Sequence, residues 1–421
     1  MFGVNVRVRH CFGCLTTTHQ GTHLQPHLKA VMSIHPSVDE SWVPPPHLEP
    51  REEMPPYDEC WCQSGKKWKW CHRNRAQQNR VPIGQITSEM IATASRGRCL
   101  HPMSGSDCER SPVSAHTIQR RGGLAAIAED GHVISPKRGY QDIFKNSGDL
   151  IPRLMGIRQA STFMGFCDRH DDALFAPIEK NGLTLTAEAA FLLSFRAICY
   201  ELHAKETSLS HFEILRQLDL GTPYENQCVI QEHLHCFMEG TKRGLSDVST
   251  WKAGYDNALT QKDFKAFSFF AIILDEMLPI VACGAFHPEF DFAGQLLQIV
   301  SRGNAPFEHV CFNLTAVNNK SVVVFGYTGT SNGPAAQFVS SFRALDNDSK
   351  ANAAFHVACE HLENIYLRPS WWNAQTDTRK DYLITRFRSG AEISNGDRQS
   401  NCLLSFGEVL SAAGVEHELA S

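Results

Sequence analysis

The chain has 421 residues, 42% of them hydrophobic, and a formal net charge of −5. This length allows two or three domains, because a domain takes roughly 100 to 200 residues. The longest nearly continuous apolar stretch, 266–274, is far shorter than the roughly 18 residues of a membrane span, which argues against a membrane protein. The first residues carry scattered arginines and do not resemble a secretory signal. We therefore expect a cytoplasmic protein whose 15 cysteines are reduced.

The first part of the chain, 1–56, contains eight of the 20 prolines and almost no hydrophobic periodicity, so we expect a disordered leader. Charge is distributed unevenly beyond it. The stretch 60–138 has 13 Lys or Arg against five Asp or Glu, an excess of +8, which leaves −13 on the rest of the chain. A basic block of this kind can bind phosphates, but a solvated surface has the same composition.

The segment 58–75 holds three cysteines, one histidine, three tryptophans and five Lys or Arg, in a space too small for a hydrophobic core. Three thiolates and an imidazole are the ligands of a closed, tetrahedral structural zinc site, and Cys60, Cys62, Cys71 and His72 supply that set. Zinc binding in such a module contributes about 10 to 16 kcal/mol of apparent free energy. The metal can therefore replace the missing core.

This segment resembles the SEC-C motif, a short zinc module appended to many bacterial proteins, whose usual form is Cys-Pro-Cys-Gly-Ser-Gly-Lys-Lys-Tyr-Lys-Lys-Cys followed by Cys or His. Trp68 stands where the motif has an aromatic residue, whereas Trp61 replaces its proline and Gln63 a glycine. The resemblance implies a zinc-binding adaptor that contacts proteins or ribosomes and is not catalytic. The matching residues are Cys60, Cys62, Ser64, Gly65, Lys66, Lys67, Lys69, Cys71 and His72.

The same segment places cations beside the rings of Trp68 and Trp70, a composition suited to binding phosphates and stacking on bases. The alternative is that one tryptophan packs over the zinc ligands while the lysines keep the module soluble. Our candidates for nucleic-acid contacts are Lys66, Lys67, Trp68, Lys69, Arg73 and Arg75, together with Arg120 and Arg121 further along the basic block.

A second group of cysteines and histidines spans 99–170. Two ligands on a loop, Cys99 and Cys108, precede a Cys-x2-His pair, Cys167 and His170, at the predicted start of a helix. A treble-clef zinc site is assembled in this way, and its metal ties distant pieces of chain together. The alternative is ordinary core packing, since free cysteine is among the most buried residue types. One zinc is thus expected in the chain, and a second is allowed.

The order of these parts also resembles HNH-type endonucleases, in which a zinc-stapled strand–strand–helix unit holds a catalytic Mg²⁺ or Mn²⁺. The resemblance implies that His116 is the general base and that Asp171 occupies the position of the helix metal ligand. Ala115 replaces the acidic ligand of those enzymes, Gln119 replaces a proline, and about fifty residues separate the strand from the helix. His170-Asp171 is also the pair found in HD-type phosphohydrolases, but that interpretation leaves the cysteines without a role.

Beyond this region the chain predicts a helical block followed by strands. We expect helices at 186–205, 225–238, 335–345 and 350–366, and strands at 265–273, 280–286, 309–318 and 321–328, the last two joined by a hairpin turn.

These patterns predict an α+β protein of several domains. Its expected parts are a disordered leader at 1–56, a SEC-C-like zinc module at 57–80, an HNH-like treble-clef region at 95–180, and a larger helical and antiparallel-sheet domain at 183–421. Two functions remain open. One is a metal-dependent endonuclease acting on DNA or RNA, and the other is a non-catalytic zinc adaptor for a protein or nucleic-acid partner. Whether the protein is an enzyme stays undecided at this level.

Overall fold

The computed structural model describes residues 47–105, 108, 111–136, 150–179, 183–299, 307–389 and 407–421. The predicted leader lies outside the described residues as far as position 46. The described part of the chain combines helices with antiparallel sheet, so the predicted mixture of the two is confirmed. None of its helices is both long enough and apolar enough to cross a membrane.

The longer helices and the strands are numbered here in chain order. The helices are α1 (Ile83–Ala94), α2 (Asp168–Glu179), α3 (Ala187–Leu215), α4 (Tyr224–Gln261), α5 (Pro334–Arg343), α6 (Asn347–His361), α7 (Pro369–Asn373) and α8 (Asp377–Ser389). The strands are β1 (Pro112–His116), β2 (His132–Ser135), β3 (Arg153–Gly156), β4 (Thr162–Cys167), β5 (Phe267–Leu274), β6 (Ile280–Phe286), β7 (Val310–Val317), β8 (Lys320–Thr328), β9 (Ile365–Leu367) and β10 (Val415–Ala420).

Eight of the strands form one antiparallel sheet in the order β10-β5-β8-β7-β6-β9-β2-β3. The predicted hairpin lies at its centre, with Val317 paired to Lys320. Asn318 and Asn319 form the two-residue turn with φ angles of 48° and 59°. Asparagine tolerates this left-handed conformation, and the twist of such a turn matches that of the strands.

Both faces of the large sheet are covered, which makes the molecule three-layered around it. Along β5, Phe267 and Phe269 point into a core formed with α3 and α4, while Phe270 and Ile272 point into a second core formed with α5 and α6. The period of two in a strand sends alternate side chains to opposite faces. Because both faces are buried, the sequence of β5 is a nearly continuous apolar run, interrupted at Ser268, rather than an alternating one.

The remaining two strands, β1 and β4, pair with each other, and α2 follows β4 directly. The chain between them supplies β2 and β3, which extend the large sheet beyond β9. This explains the fifty residues that separate the predicted strand from the predicted helix. The large sheet therefore contains strands from both 95–180 and 183–421.

Several helix ends differ from those predicted from the sequence. The helix expected at 350–366 stops at His361, and Ile365–Leu367 is a strand that joins β6 to β2. Helices α3 and α4 extend to Leu215 and Gln261, well past the predicted ends at 205 and 238. Long helices are stabilised by packing against each other, which a local pattern does not report.

Candidate metal centres

The first cluster is formed by a tight reversal of the chain. The backbone N–H of Cys60 donates to the Lys66 carbonyl at 2.9 Å, and the loop between them turns through positive φ angles at Gln63 (55°) and Gly65 (71°). A 3-10 turn, Trp68–Trp70, then aims Cys71 and His72 back at the first two cysteines. Glycine adopts this left-handed conformation at little cost, and Gln63 adopts it as well.

The four side chains of this cluster have the spacing of a tetrahedral zinc site. With Zn–S bonds of about 2.3 Å and Zn–N bonds of about 2.0 Å, two sulfurs stand about 3.8 Å apart and a sulfur and a nitrogen about 3.5 Å apart. The Sγ atoms of Cys62 and Cys71 are 3.5 Å apart, and Nδ1 of His72 is 3.1 Å from Cys60 Sγ and 3.3 Å from Cys71 Sγ. All four residues are buried. The cluster is therefore compatible with zinc.

The imidazole of His72 is hydrogen-bonded to Asp219 on the side of the ring that faces away from the cysteines. Its Nε2 lies 3.0 Å from Asp219 Oδ2, and the Asp219 side chain is fully buried. Because Nδ1 faces the sulfurs, Nε2 carries the hydrogen and donates it to the carboxylate. Zinc-binding histidines are commonly oriented in this way, which fixes the tautomer and makes the ring a better ligand.

Asp219 also anchors the module to the helical layer. Its carboxylate accepts hydrogen bonds from Arg75 Nε and, at 2.7 Å, from Gln231 Nε2. Arg216, in the turn between α3 and α4, donates from Nη1 to the Cys62 carbonyl at 3.1 Å. The module is thus bonded to the α3–α4 turn and is not an independent appendage. The sequence gives no signal for Asp219, which lies 147 positions from His72.

The second cluster joins three separate pieces of chain. Nδ1 of His170 lies 3.3 Å from the sulfurs of Cys99 and Cys167 and 3.6 Å from that of Cys108. The sulfurs of Cys99 and Cys167 are 3.9 Å apart. Cys167 ends β4 and His170 lies in the first turn of α2, while the ring of His101 stacks on His170 at 4.0 Å. These distances also suit a tetrahedral zinc site.

The candidate catalytic residues lie in the unit formed by β1, β4 and α2. This unit also contains two of the four residues of the second cluster. His116 is the last residue of β1, and its Nε2 lies 3.0 Å from the Ile157 carbonyl, so Nε2 donates and Nδ1 is left as the basic nitrogen. Burial lowers the pKa of His116, which favours the neutral ring at pH 7. Asp171 lies in the first turn of α2, and burial raises the pKa of its carboxyl group to about 6.

A buried arginine from α3 affects this unit. The Arg196 side chain is 1% exposed, donates from Nη1 to Glu179 at 2.7 Å, and lies 3.7 Å from the centre of the Phe175 ring. Its positive charge acts on Asp171 and opposes the rise of that pKa. A fixed positive charge that acts on this carboxylate also disfavours binding of a divalent ion there. Among the described residues, the groups that could hold a metal are the two Cys₃His clusters, and Asp171 belongs to neither.

The candidate nucleic-acid residues are divided between surface and interior. Lys66, Lys67, Arg73, Arg120 and Arg121 are exposed, and Lys69 is half-buried.

The other two candidates, Trp68 and Arg75, make contacts that hold the module together and attach it to the α3–α4 turn. Trp68 is 8% exposed and packs with Trp61 and the ligand cysteines in a small core. Arg75 is bonded to Asp219 and to the Arg216 carbonyl. The tryptophan that does face solvent is Trp70, which is 68% exposed.

Comparison of the chain with models of protein families, with curated proteins and with solved structures gave no match in any of the three. The resemblances to the SEC-C motif and to HNH-type endonucleases therefore rest on the sequence patterns alone.

Proposed function

We propose that the protein is a non-catalytic zinc adaptor in which two zinc ions are structural. The observation that carries this proposal is the closed first cluster: four buried protein ligands at tetrahedral spacing, with His72 oriented by Asp219. A catalytic zinc keeps one coordination position open for water or substrate, whereas a Cys₃His set fills all four.

The two ions would act on different parts of the fold. The first shapes the module around Trp61 and Trp68 and holds it against the α3–α4 turn. The second ties the loop bearing Cys99 and Cys108 to the start of α2, more than fifty positions further along the chain. In this proposal, zinc supports a surface on which a partner is recognised.

Metal analysis of the purified full-length chain tests the structural role. We expect two zinc ions per chain, one in the Cys60→Ser variant and one in the Cys99→Ser variant. Cys236, which lies outside both clusters, provides the control: Cys236→Ser should retain two. A chain that carries no zinc after purification in zinc-containing medium would contradict the proposal. The adaptor role further predicts a stoichiometric partner that is captured by the native chain and lost with Cys60→Ser.

An HNH-like nuclease is the second candidate, favoured by the order β1, β4, α2 with two candidate zinc ligands before β1 and two at the junction of β4 and α2. In that unit His116 is buried enough to stay neutral, as a general base requires. Mg²⁺ or Mn²⁺ would polarise the phosphate when bound, and Asp171 is the residue proposed to hold it. The residues described around Asp171 do not complete a ligand set, which places this candidate second.

Plasmid nicking distinguishes the two candidates. The nuclease candidate expects Mg²⁺- or Mn²⁺-dependent nicking that His116→Ala abolishes while both zinc ions remain bound. His132→Ala is a suitable control, because the His132 side chain is exposed and its hydrogen bond among the described residues is to the neighbouring Asp130 carbonyl. Intact plasmid and intact structured RNA across a range of divalent metals would leave the adaptor as the sole candidate.

A further inference from the structure

The zinc module exposes an aromatic pair that its own core does not use. Tyr57 is 64% and Trp70 68% exposed, and both rings flank Lys69, whose Nζ lies 3.8 Å from the Tyr57 ring centre and 4.2 Å from that of Trp70. Trp61 and Trp68 already fill the interior of the module. We call the surface formed by Tyr57, Lys67, Lys69 and Trp70 the aromatic face.

The segment that forms the aromatic face carries further exposed cations. Lys67 Nζ lies 5.3 Å from the Tyr57 ring centre, and Lys66 and Arg73 are exposed in the same short segment. No ion pair joins these cations to a carboxylate among the described residues. Asp58 and Glu59 are the acids of the segment 57–73, so four cations stand against two acids there.

We propose that the aromatic face binds single-stranded nucleic acid, with bases stacking on Trp70 and Tyr57 and phosphates contacting Lys66, Lys67 and Arg73. This rests on the adaptor function proposed above and gives it a partner. Stacking of a base on an aromatic side chain contributes about 1 to 3 kcal/mol and needs unpaired bases, because only they can present an open face. An acidic peptide would use the cations but would leave two solvent-exposed rings without a role.

Binding of fluorescein-labelled 20-mers, oligo-dT and oligo-U, to the zinc-loaded full chain tests this surface by fluorescence anisotropy. We expect Trp70→Ala and Tyr57→Ala each to weaken binding by about 5- to 150-fold, the range set by the stacking energy. Leu154→Ala is the control for lost apolar surface, since Leu154 is 61% exposed and belongs to β3 instead. The two oligonucleotides separate DNA from RNA as the favoured strand.

A charge series checks the phosphate contacts independently. Each of Lys66→Gln and Lys67→Gln should reduce the dependence of log K on log salt by about 0.7, the value for one phosphate contact on a single strand. Lys265 is an exposed lysine just before β5, outside the module. Lys265→Gln should leave the salt dependence unchanged.

The proposal is overturned if the zinc-loaded chain binds neither oligonucleotide. It is also overturned if neither Trp70→Ala nor Tyr57→Ala changes the affinity for them. Tighter binding of a poly-glutamate peptide than of both 20-mers would also overturn it and identify an acidic protein partner. Zinc content is measured on the same samples. A chain that holds two zinc ions without binding oligonucleotides refutes this inference alone, whereas a chain without zinc refutes the adaptor proposal.

Discussion

At the scale of single residues, the geometry of the first cluster depends on a carboxylate that is remote in sequence. Asp219 is fully buried and is shared by His72, Arg75 and Gln231. A buried carboxylate is tolerated because these donors replace its water shell. The same bonds fix the direction in which the imidazole of His72 points at the cluster.

Asp219→Asn should lower the zinc affinity of the first site by about 10- to 100-fold, the effect typical of losing a group that orients a metal-binding histidine. The amide keeps the size of the side chain but weakens the hydrogen bond from Nε2. Competition with a chromophoric chelator measures both sites in one titration. The second site, which Asp219 does not contact, is the internal reference, and equal loosening of both ions would contradict the assignment.

Backbone conformation in the loop of the first cluster leads to a second prediction. Gln63 occupies a left-handed conformation that costs a non-glycine residue about 1 to 2 kcal/mol, and it stands where the SEC-C motif has glycine. Gln63→Gly should therefore raise the free energy of unfolding by up to about 1 kcal/mol, after the greater chain entropy of glycine is subtracted. Gly65→Ala should lower it by about 1 to 2 kcal/mol, although a Cβ there meets no atom within 4 Å. Denaturant unfolding of the zinc-loaded protein measures both, and a loss of stability in Gln63→Gly would contradict the explanation.

At the scale of elements, the interface between β7 and α4 contains a buried histidine. His309 stacks on Trp251 at 4.2 Å, and its Nε2 lies 3.3 Å from the hydroxyl of Tyr255. Burial lowers the pKa of His309 to about 3, and the neighbouring His287 adds to this effect. The packed helix and strand thus hold a neutral ring that would be charged in the unfolded chain at acid pH.

The pH dependence of stability follows from this difference. In the unfolded chain a histidine takes up a proton below about pH 6.5, whereas folded His309 stays neutral down to about pH 3, so its contribution is full above pH 6.5 and decreases as the pH falls. Between pH 7 and pH 4.5 the native protein should lose about 2 to 3 kcal/mol more than His309→Gln, at about 1.4 kcal/mol per pH unit. Comparing the two proteins at each pH cancels other titrating groups, including the zinc ligands. Parallel stability curves would show that His309 is not the source.

Over the whole molecule, a sheet with large apolar cores lies beside a module with little apolar burial. The large sheet has extensive apolar cores on both faces, while the buried hydrophobic cluster of the module consists of Leu48, two tryptophans and the three ligand cysteines. Apolar burial alone can support the sheet, but the module has too little of it.

Removal of zinc should therefore make the module accessible to protease before the large sheet. After chelation, we expect trypsin to cleave at Lys66, Lys67, Lys69 and Arg73 while the sheet strands from β5 to β9 stay protected. Mass spectrometry of the early fragments identifies the sites. Cys236→Ser should show the native pattern before chelation, whereas Cys60→Ser should show the chelated pattern in the module. An unchanged digest after measured loss of zinc would contradict a structural role for the metal.

The sequence by itself determined the features that depend on neighbouring residues. Ligand type and spacing marked both clusters, asparagines marked the β7–β8 turn, and continuous apolar runs marked the central strands. These are short-range properties, because a turn or a Cys-x-Cys pair is fixed by the φ angles and side chains of a few residues. The same locality explains why Trp68 and Trp70 could not be told apart: both follow a lysine, and only packing sends one inward.

Tertiary structure decided what depends on contacts between distant parts of the chain. It joined β2 and β3 to the sheet through β9, set Asp219 against Nε2 of His72, and brought the charge of Arg196 close enough to act on Asp171. No local pattern encodes these contacts, since each brings together residues separated by tens to hundreds of positions and gains its energy only when the intervening layers are packed. Cysteine spacing thus predicted where metal could bind, and the fold determined which charges and rings surround it.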